Sequence, residues 1–483
     1  MILERIIWIY ITFCTASVRP LAGNSWKQAA AGPIIQRKPF VVVWNLPTSR
    51  CQERFGIRLP LEAYDIVENK GNVFLGQNIT IFYENKFGLY PYISPQGDWH
   101  NGGIPQKVNL RRHLEKATQE ITELLNNNFQ GLAVVDWEEW RPLWRRNWVP
   151  KMVYREASKQ WVRKRFPGLS PEEQTQLAKV EFEEAARVLM ESTLALGKKL
   201  RPHGLWGFYR FPDCFNDKWG KENYTGQCNP KEVLWNDQLM WLWKVSSALY
   251  PSIYLPLKVP ALYRQRYIHH RLGEAFRVAQ FGPEHPLPVI PYSRVSYRRS
   301  SKYLTEADLV NTIGESAALG SAGVVLWGDL SYSQSLENCK SLHRYIITTL
   351  GPYIANVTTA ADRCSRQLCH GNGRCVRCNP SELGAFLHLD NQLREEDIGI
   401  TDFQDWSVSM QDHFRCQCYP KWTGTHCERP QRIEAFEMTK PNQVSHSNNV
   451  YDAVHDGDFD LGSNICPKKQ KQKDNDSSKA ALY

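Results

Sequence analysis

The stretch Gly131-Leu132-Ala133-Val134-Val135-Asp136-Trp137-Glu138-Glu139-Trp140 decides the fold. A short run rich in Val and Leu ends abruptly in two carboxylates at i and i+2, with one tryptophan between them and another close behind. A run of that length reads as a buried strand. Side chains alternate across a strand, so Asp136 and Glu138 share one face and Trp137 takes the other. Two carboxylates crowded on one face do not both ionise freely, and one keeps its proton to a higher pH. A poised acid beside a charged base is what glycosidic bond cleavage requires. The rest of the chain is expected to build a groove around this pair.

At 483 residues the chain exceeds one compact core of typical size, and one large domain with appendages is expected. Hydrophobic residues make up 42%, enough for a sizeable core. The 17 Trp and 21 Tyr are a surplus that sugar-binding grooves use as flat platforms. A formal charge of +9 favours an acidic partner: nucleic acid, an anionic membrane or an acidic polysaccharide.

Residues 1–22 read as a secretory signal peptide, with Arg5 ahead of an apolar core from Ile6 to Cys14 that is too short to span a bilayer. Removing Cys14 leaves twelve cysteines, an even number that fits an oxidising compartment and structural disulfides. The sequons at Asn78, Asn223, Asn356 and Asn475 agree with secretion.

Strands are predicted at Pro39–Asn45, Asn78–Tyr83, the opening stretch, Leu205–Tyr209, Ser252–Leu255, Pro288–Tyr292 and Gly323–Trp327. Helical spacing covers 108–127. Ser170-Pro171-Glu172-Glu173 is a capping start for a helix reaching about Leu200, with Ala178, Phe182, Ala185, Leu189 and Leu196 at core spacing. Further helical segments cover 271–279 and Thr305 to Ala318. This alternation of about seven strands with helices predicts an α/β fold, a distorted (β/α) TIM-like barrel of seven to eight strands. A doubly wound open sheet is the runner-up, weakened by the lack of a glycine-rich phosphate loop. Barrel chemistry gathers where strands end, and the strand ends here carry Tyr83, Asp136, Glu138, Tyr209, Tyr254 and Trp327.

Near residue 360 a second module begins, with Cys364, Cys369, Cys375, Cys416, Cys418 and Cys427. The spacing fits the six-cysteine growth-factor-like (EGF-like) pattern, whose expected pairs are first–third, second–fourth and fifth–sixth, and the 40 residues between Cys375 and Cys416 exceed the usual loop, so an insertion sits inside the module. Zinc is the competing reading, but disulfides account for every member, so no metal is expected. After about 430, polar residues dominate and a disordered tail is expected. Its Pro467–Lys473 run is basic, and no terminal hydrophobic stretch for a spanning helix or lipid anchor is present in the sequence. The expected organisation is a signal peptide at 1–22, the barrel at 38–358, the module at 360–428 and the tail at 429–483.

Several motifs in this order resemble the vertebrate hyaluronidases of glycoside hydrolase family 56. They are Gly131–Glu138, Leu205–Tyr209 with Phe211–Cys214, Tyr224–Cys228, Asn236–Leu239, Gly314–Ala318, Val325–Gly328 and Phe414–Cys418. Arg201–Gly204, Ser252–Pro256, His285–Val289 and Thr349–Tyr353 lean to the type 3 branch, with type 2 second. The resemblance implies an endo-acting β-N-acetylhexosaminidase on hyaluronan, with chondroitin as a second substrate, net retention and no cofactor. Nucleic acid is thereby set aside as a partner. Glu138 is implied as the general acid, with the substrate's own acetamido oxygen as nucleophile. Asp136 is implied to hydrogen-bond Glu138, Tyr209 and Tyr254 to polarise the acetamido group, Tyr83 and Trp327 to bind the adjoining sugar, and Arg271 to meet a glucuronate. Cys51 with Cys339 and Cys214 with Cys228 are implied as disulfides beside the module's three. Cys378 and Cys466 remain, able to pair with each other or to link chains. Type 2 relatives are typically anchored to the cell surface; the missing anchor signal speaks against membrane attachment and for the type 3 branch, and an extracellular or lysosomal site is expected, with the cell surface as the alternative. A protein partner for the module is compatible with all of this. A chitinase-type site, which also ends a strand in Asp-x-Glu, is disfavoured because Leu132, Val134 and Val135 stand where that class carries further acids. A hyaluronan-binding protein with weak turnover is the alternative from another functional class.

Overall fold

A computed structural model of the chain describes residues 32–431 apart from 36, 284, 382 and 390–409. The expected signal peptide, the tail beyond 431, Asn475 and Cys466 lie outside the described residues.

The strands are β1 (Val41–Asn45), β2 (Ile66–Val67), β3 (Ile79–Tyr83), β4 (Tyr92–Ile93), β5 (Trp99–His100), β6 (Leu132–Asp136), β7 (Leu205–Phe208), β8 (Tyr292–Ser293) and β9 (Gly323–Trp327). Two parallel sheets, β2-β1-β9-β8 and β3-β6-β7, form the two arcs of a barrel. The segment Leu249–Ser252 joins the arcs on one side through bridges from Tyr250 to Tyr209, Leu249 to Val289 and Ser252 to Tyr292. The predicted Ser252–Leu255 run is thus not a regular strand, and the wall is crossed slightly earlier. Pro251, Pro288 and Pro291 lack the N–H that a continuous ladder needs. Gly207 admits this segment, since a Cβ there would stand 2.3 Å from the Ala248 carbonyl oxygen.

On the other side a side chain closes the ring. Asn69, just past β2, is buried. Its amide donates to the carbonyl of Ile79 at 2.8 Å and accepts from the N–H groups of Asn78 and Ile79 at 3.0 and 3.2 Å. One carboxamide therefore substitutes for backbone pairing between the β2 end and β3.

Strand parity sorts the core into layers. Val41, Val43, Ile79, Ile81, Leu132 and Val134 fill the barrel, with Tyr83, Tyr209, Tyr254 and Trp327 packed against that interior. Phe82, Ala133, Val135, Trp206 and Phe208 face outward onto helices. The helix Pro171–Leu200 begins at Ser170 with the predicted capping box and buries Ala178, Phe182, Ala186 and Leu189. Ala186 replaces the predicted Ala185 at the core. The helix begun after Thr305 runs to Ala318 through a π-helical turn at Val310–Gly314.

The boundary expected near 360 falls inside one helix, Gly351–Leu368, which carries Cys364 into the cysteine-rich region. There β10 (Gly373–Arg377) pairs with β11 (Phe414–Cys418) antiparallel. Arg377, on β10, is buried and grips the buried Glu315 of the barrel with bonds of 3.0 and 2.8 Å. Cys369, Cys375, Phe414 and Cys427 share a hydrophobic cluster with barrel residues such as Val42 and Val324. The five implied disulfides form: Cys51–Cys339, Cys214–Cys228, Cys364–Cys375, Cys369–Cys416 and Cys418–Cys427. Cys378 is disulfide-bonded as well.

Replacing Asn69 tests the closure. Asn69→Ala leaves buried backbone groups of Asn78 and Ile79 without partners, and it is expected to lower stability by about 2–3 kcal/mol. Chemical denaturation monitored by tryptophan fluorescence measures this; an unchanged midpoint would show that backbone pairing closes the ring without it.

Candidate active site

Interior parity carries the functional side chains upward. On β6, Leu132 and Val134 point into the barrel and Asp136 continues the row, while Trp137 turns outward between Tyr90, at 4.6 Å between ring centroids, and Phe208, at 5.5 Å. Tyr83 stands directly opposite Asp136 in the β3–β6 register. The Tyr209 N–H donates to Val135 at 2.9 Å, which seats its ring on the same mouth. Tyr254 lies 6.2 Å from Tyr209 and 6.1 Å from Trp327, stacked on the latter. Trp327 donates from Nε1 to the Tyr83 hydroxyl at 3.1 Å. The structure thus brings Tyr83, Asp136, Glu138, Tyr209, Tyr254 and Trp327 to one rim.

The two carboxylates differ sharply in environment. Asp136 is 8% exposed, and its Oδ1 has no hydrogen-bond partner. Burial first, then the charges of Glu138 and Glu84, push its carboxyl well above the usual range. Glu138 has a side chain 42% exposed, and its Oε1 accepts from Arg210 Nη1 at 2.8 Å, with Arg141 Nη2 at 3.6 Å. Desolvation pushes this carboxyl up, but the Arg141 and Arg210 guanidiniums outweigh it and hold Glu138 below its ordinary value. Among the described residues no hydrogen bond joins Asp136 to Glu138. Burial without a partner at Asp136 and the guanidiniums at Glu138 both favour Asp136 as the holder of the pair's first proton.

The arginines have a common anchor. Asp213 is 7% exposed and forms ion pairs with Arg146, with Arg210 at 3.4 Å and with Arg141 at 3.6 Å. Burial pushes the Asp213 carboxyl up, and Arg146, Arg210 and Arg141 overcome it to keep it ionised. Arg146 also pairs with the buried Glu232. Lys151 donates to the carbonyls of Glu138 and Glu139 and pins the loop after β6. Trp140 ties the same loop to the Pro91 carbonyl at 2.8 Å.

Tyr209 remains a neutral phenol: burial, then the Glu138 charge, push it up to about 12. Tyr254 is pushed up well beyond the ordinary value by burial and by Tyr209. Two phenols held neutral can donate hydrogen bonds into the mouth.

Arg271 is only 11% exposed at its side chain and is committed to Asn216 at 2.9 Å, the Ser252 carbonyl at 3.1 Å and Asp217 at 3.2 Å. It supports the backbone two residues before Tyr254. Arg294 stacks on the Trp327 ring at 5.0 Å and pairs with Asp329 at 3.1 Å, giving the groove a cation that the sequence did not single out. Of the sequon residues, Asn223 is exposed. The amide of Asn78 donates to the Glu68 carbonyl at 2.6 Å, and Asn356 accepts from the Leu389 N–H at 3.0 Å inside a helix, so both already serve the fold. Among the described residues no group of three or more metal-ligating side chains occurs.

Residues 29–431 match the family model described as Hyaluronidase. The chain belongs to the hyaluronidase family. It is 54% identical over 399 residues to Hyaluronidase-3 of Mus musculus, covering 82% of this chain and 93% of that protein. It is 51% identical to Hyaluronidase-3 of Homo sapiens over 400 residues, with the same coverage, and 42% identical to Hyaluronidase-1 of Sus scrofa, covering 83% of this chain and 95% of that protein. These values bear out the lean to the type 3 branch. The crystal structure of bee venom hyaluronidase in complex with a hyaluronic acid tetramer superposes with a TM-score of 0.61 at 32% identity, covering 65% of this chain and 98% of that one. Membership of this family of glycoside hydrolases accounts for a barrel mouth that carries carboxylates and aromatic rings.

Asp213 is expected to be the electrostatic keystone. Asp213→Asn leaves buried guanidiniums facing one another and is expected to destabilise the fold by about 3 kcal/mol. Denaturant titration checks this; a midpoint within error of the parent protein would remove Asp213 from that role.

Proposed function

We propose that this chain hydrolyses hyaluronan at the bond after N-acetylglucosamine, with retention of configuration, chondroitin being a second substrate. Glu138 is the general acid: it protonates the oxygen leaving toward glucuronate and afterwards takes a proton from water. The substrate's acetamido oxygen attacks the anomeric carbon from the opposite face, and water opens the cyclic intermediate. Tyr209 and Tyr254 hold and polarise the acetamido group, Tyr83 and Trp327 seat the sugar ring, and Arg271 supports the groove near a glucuronate.

One observation carries this reading. Asp136, the carboxyl that ends β6, is 8% exposed and has no partner for its Oδ1, surroundings that favour its protonated form. A buried, protonated carboxyl cannot serve as the attacking nucleophile, and the usual pair of working carboxylates is therefore reduced to one. A nucleophile from the substrate fills the vacancy. Asp136 remains as the neutral neighbour that spares Glu138 a second negative charge.

A specific contact favours a second reading, a hyaluronan-binding protein with weak turnover. Arg210 holds Glu138 as a carboxylate in the free protein, which opposes its acid role. The disulfide-rich structure agrees with passage through the secretory route to an extracellular or lysosomal site. A protein partner would meet the cysteine-rich region on the face not packed against the barrel.

Glu138→Gln separates the readings. Hyaluronan depolymerisation by the purified chain is expected to fall about a thousandfold while oligosaccharide binding persists. Activity of the parent protein is expected to decline as pH rises, because the acid must be protonated and its guanidinium neighbours favour the ionised form. Retained turnover in the variant would remove the acid assignment, and a rate highest above neutrality would contradict the pH sign.

A further inference from the structure

Arg210 occupies an unusual place. It directly follows Tyr209 at the end of β7 and has φ of 67°, in the left-handed region where side-chain-bearing residues are uncommon. Its N–H donates to Tyr250 at 2.8 Å, which keeps this bend against the neighbouring wall segment. Its guanidinium bridges two carboxylates, Glu138 at 2.8 Å and the buried Asp213 at 3.4 Å. The Arg210 side chain is 37% exposed, so its outer edge is open to a ligand in the groove.

The groups around Glu138 are Asp136 at the end of β6, Glu139 and Arg141 in the same loop as Glu138, Lys151 beyond it, Glu84 after β3, and Tyr209 and Arg210 after β7. Arg141 is buried beneath and also fastened to Asp213. Lys151 spends its ammonium on backbone carbonyls. Among the described residues, Arg210 alone combines direct contact with the Glu138 carboxylate and an exposed edge.

Covalent chemistry supplies the counterpart, and this step rests on the function proposed above. In hyaluronan the leaving sugar is a glucuronate joined through its 4-oxygen. The carbon next to that position bears the carboxylate-carrying carbon. The uronate carboxylate is within a few bonds of the scissile oxygen that Glu138 must reach, and Arg210 touches Glu138 directly.

We propose that Arg210 is a positioning and specificity residue, a latch that holds Glu138 in the free enzyme and is drawn off it by the carboxylate of the leaving uronate. The exchange takes one of two guanidiniums off Glu138 and brings an anion near it, while Arg141 stays in place. Glu138 then takes up a proton from solvent, and that proton is the one delivered to the leaving oxygen. A polymer with a neutral hydroxymethyl group at this carbon, as in chitin, leaves the latch closed. The enzyme thereby couples readiness of its acid to the identity of its substrate.

The test uses the full chain, Arg210→Gly and Arg210→Lys, with native hyaluronan and hyaluronan whose carboxylates have been reduced to alcohols. Glycine suits the positive φ, and near-UV circular dichroism establishes that each variant is folded. Arg210→Gly is expected to move the alkaline limb of the kcat/KM–pH profile to higher pH. It is also expected to shrink the preference for native over reduced polymer about tenfold. Arg210→Lys, which keeps the cation, is expected to retain the parent profile. An Arg210→Gly profile that superimposes on the parent's, or an undiminished preference, overturns the latch. Glu138→Gln run alongside keeps the two ideas apart. Turnover surviving in it removes the acid assignment itself, whereas its loss with an unmoved Arg210→Gly profile removes the latch alone.

Discussion

A buried negative charge that must be neutralised organises this site. Asp213 lies in the wall beside the barrel mouth, and an unpaired carboxylate there would be prohibitively costly. Arg141, Arg146 and Arg210 converge on it. Two of the three then extend to Glu138. The ionisation of the exposed carboxylate is thus set from behind by a residue that never reaches the groove. Asp136, away from direct guanidinium contact and almost fully buried, is pushed the opposite way, toward its protonated form.

The barrel makes this division possible because strand parity is a rigid address. Residues on one face of β3, β6 and β9 lie inside, and the last of each row emerges at the mouth as Tyr83, Asp136 or Trp327. The alternate face builds a separate layer, where Trp137, Phe208 and Tyr90 stack between the sheet and the helices. Closure relies on less regular devices. Asn69 bridges one seam with its side chain, and a proline-interrupted segment near Tyr250 bridges the other. These seams let the ring depart from a symmetric ladder while keeping Tyr254 against Tyr209.

The legible part of the molecule was the part written in local pattern. Alternation placed Asp136 at the end of the interior row, with Glu138 two residues beyond the strand, the Ser170 capping box marked the long helix, and cysteine spacing with family resemblance matched the disulfides observed. The arginine network was not legible, because Arg141, Arg210 and Asp213 meet only through the turn after β7, and nothing in their spacing reports a distance. Phe211–Cys214 stood out as a motif, yet the role of Asp213 depends on burial, which sequence does not display. The seam at Asn69 was hidden for the same reason: a polar residue in a loop looks solvated until its neighbours are known. The Ser252–Leu255 run misled slightly, since its apolar pattern was strand-like while the flanking prolines prevent a ladder. Arg271 is a candidate contact for substrate by sequence, and in the folded chain three of its five N–H donors are engaged by Asn216, Ser252 and Asp217.

The central claim is that the proton of the carboxylate pair rests on Asp136, not Glu138, until substrate arrives. Carboxyl titration of the free protein by isotope-edited infrared spectroscopy, with Asp136→Asn and Glu138→Gln used to assign the two bands, tests it most directly. The account predicts that the Asp136 band keeps its protonated form to a higher pH than the Glu138 band. A Glu138 band that holds its proton to the higher pH would contradict it.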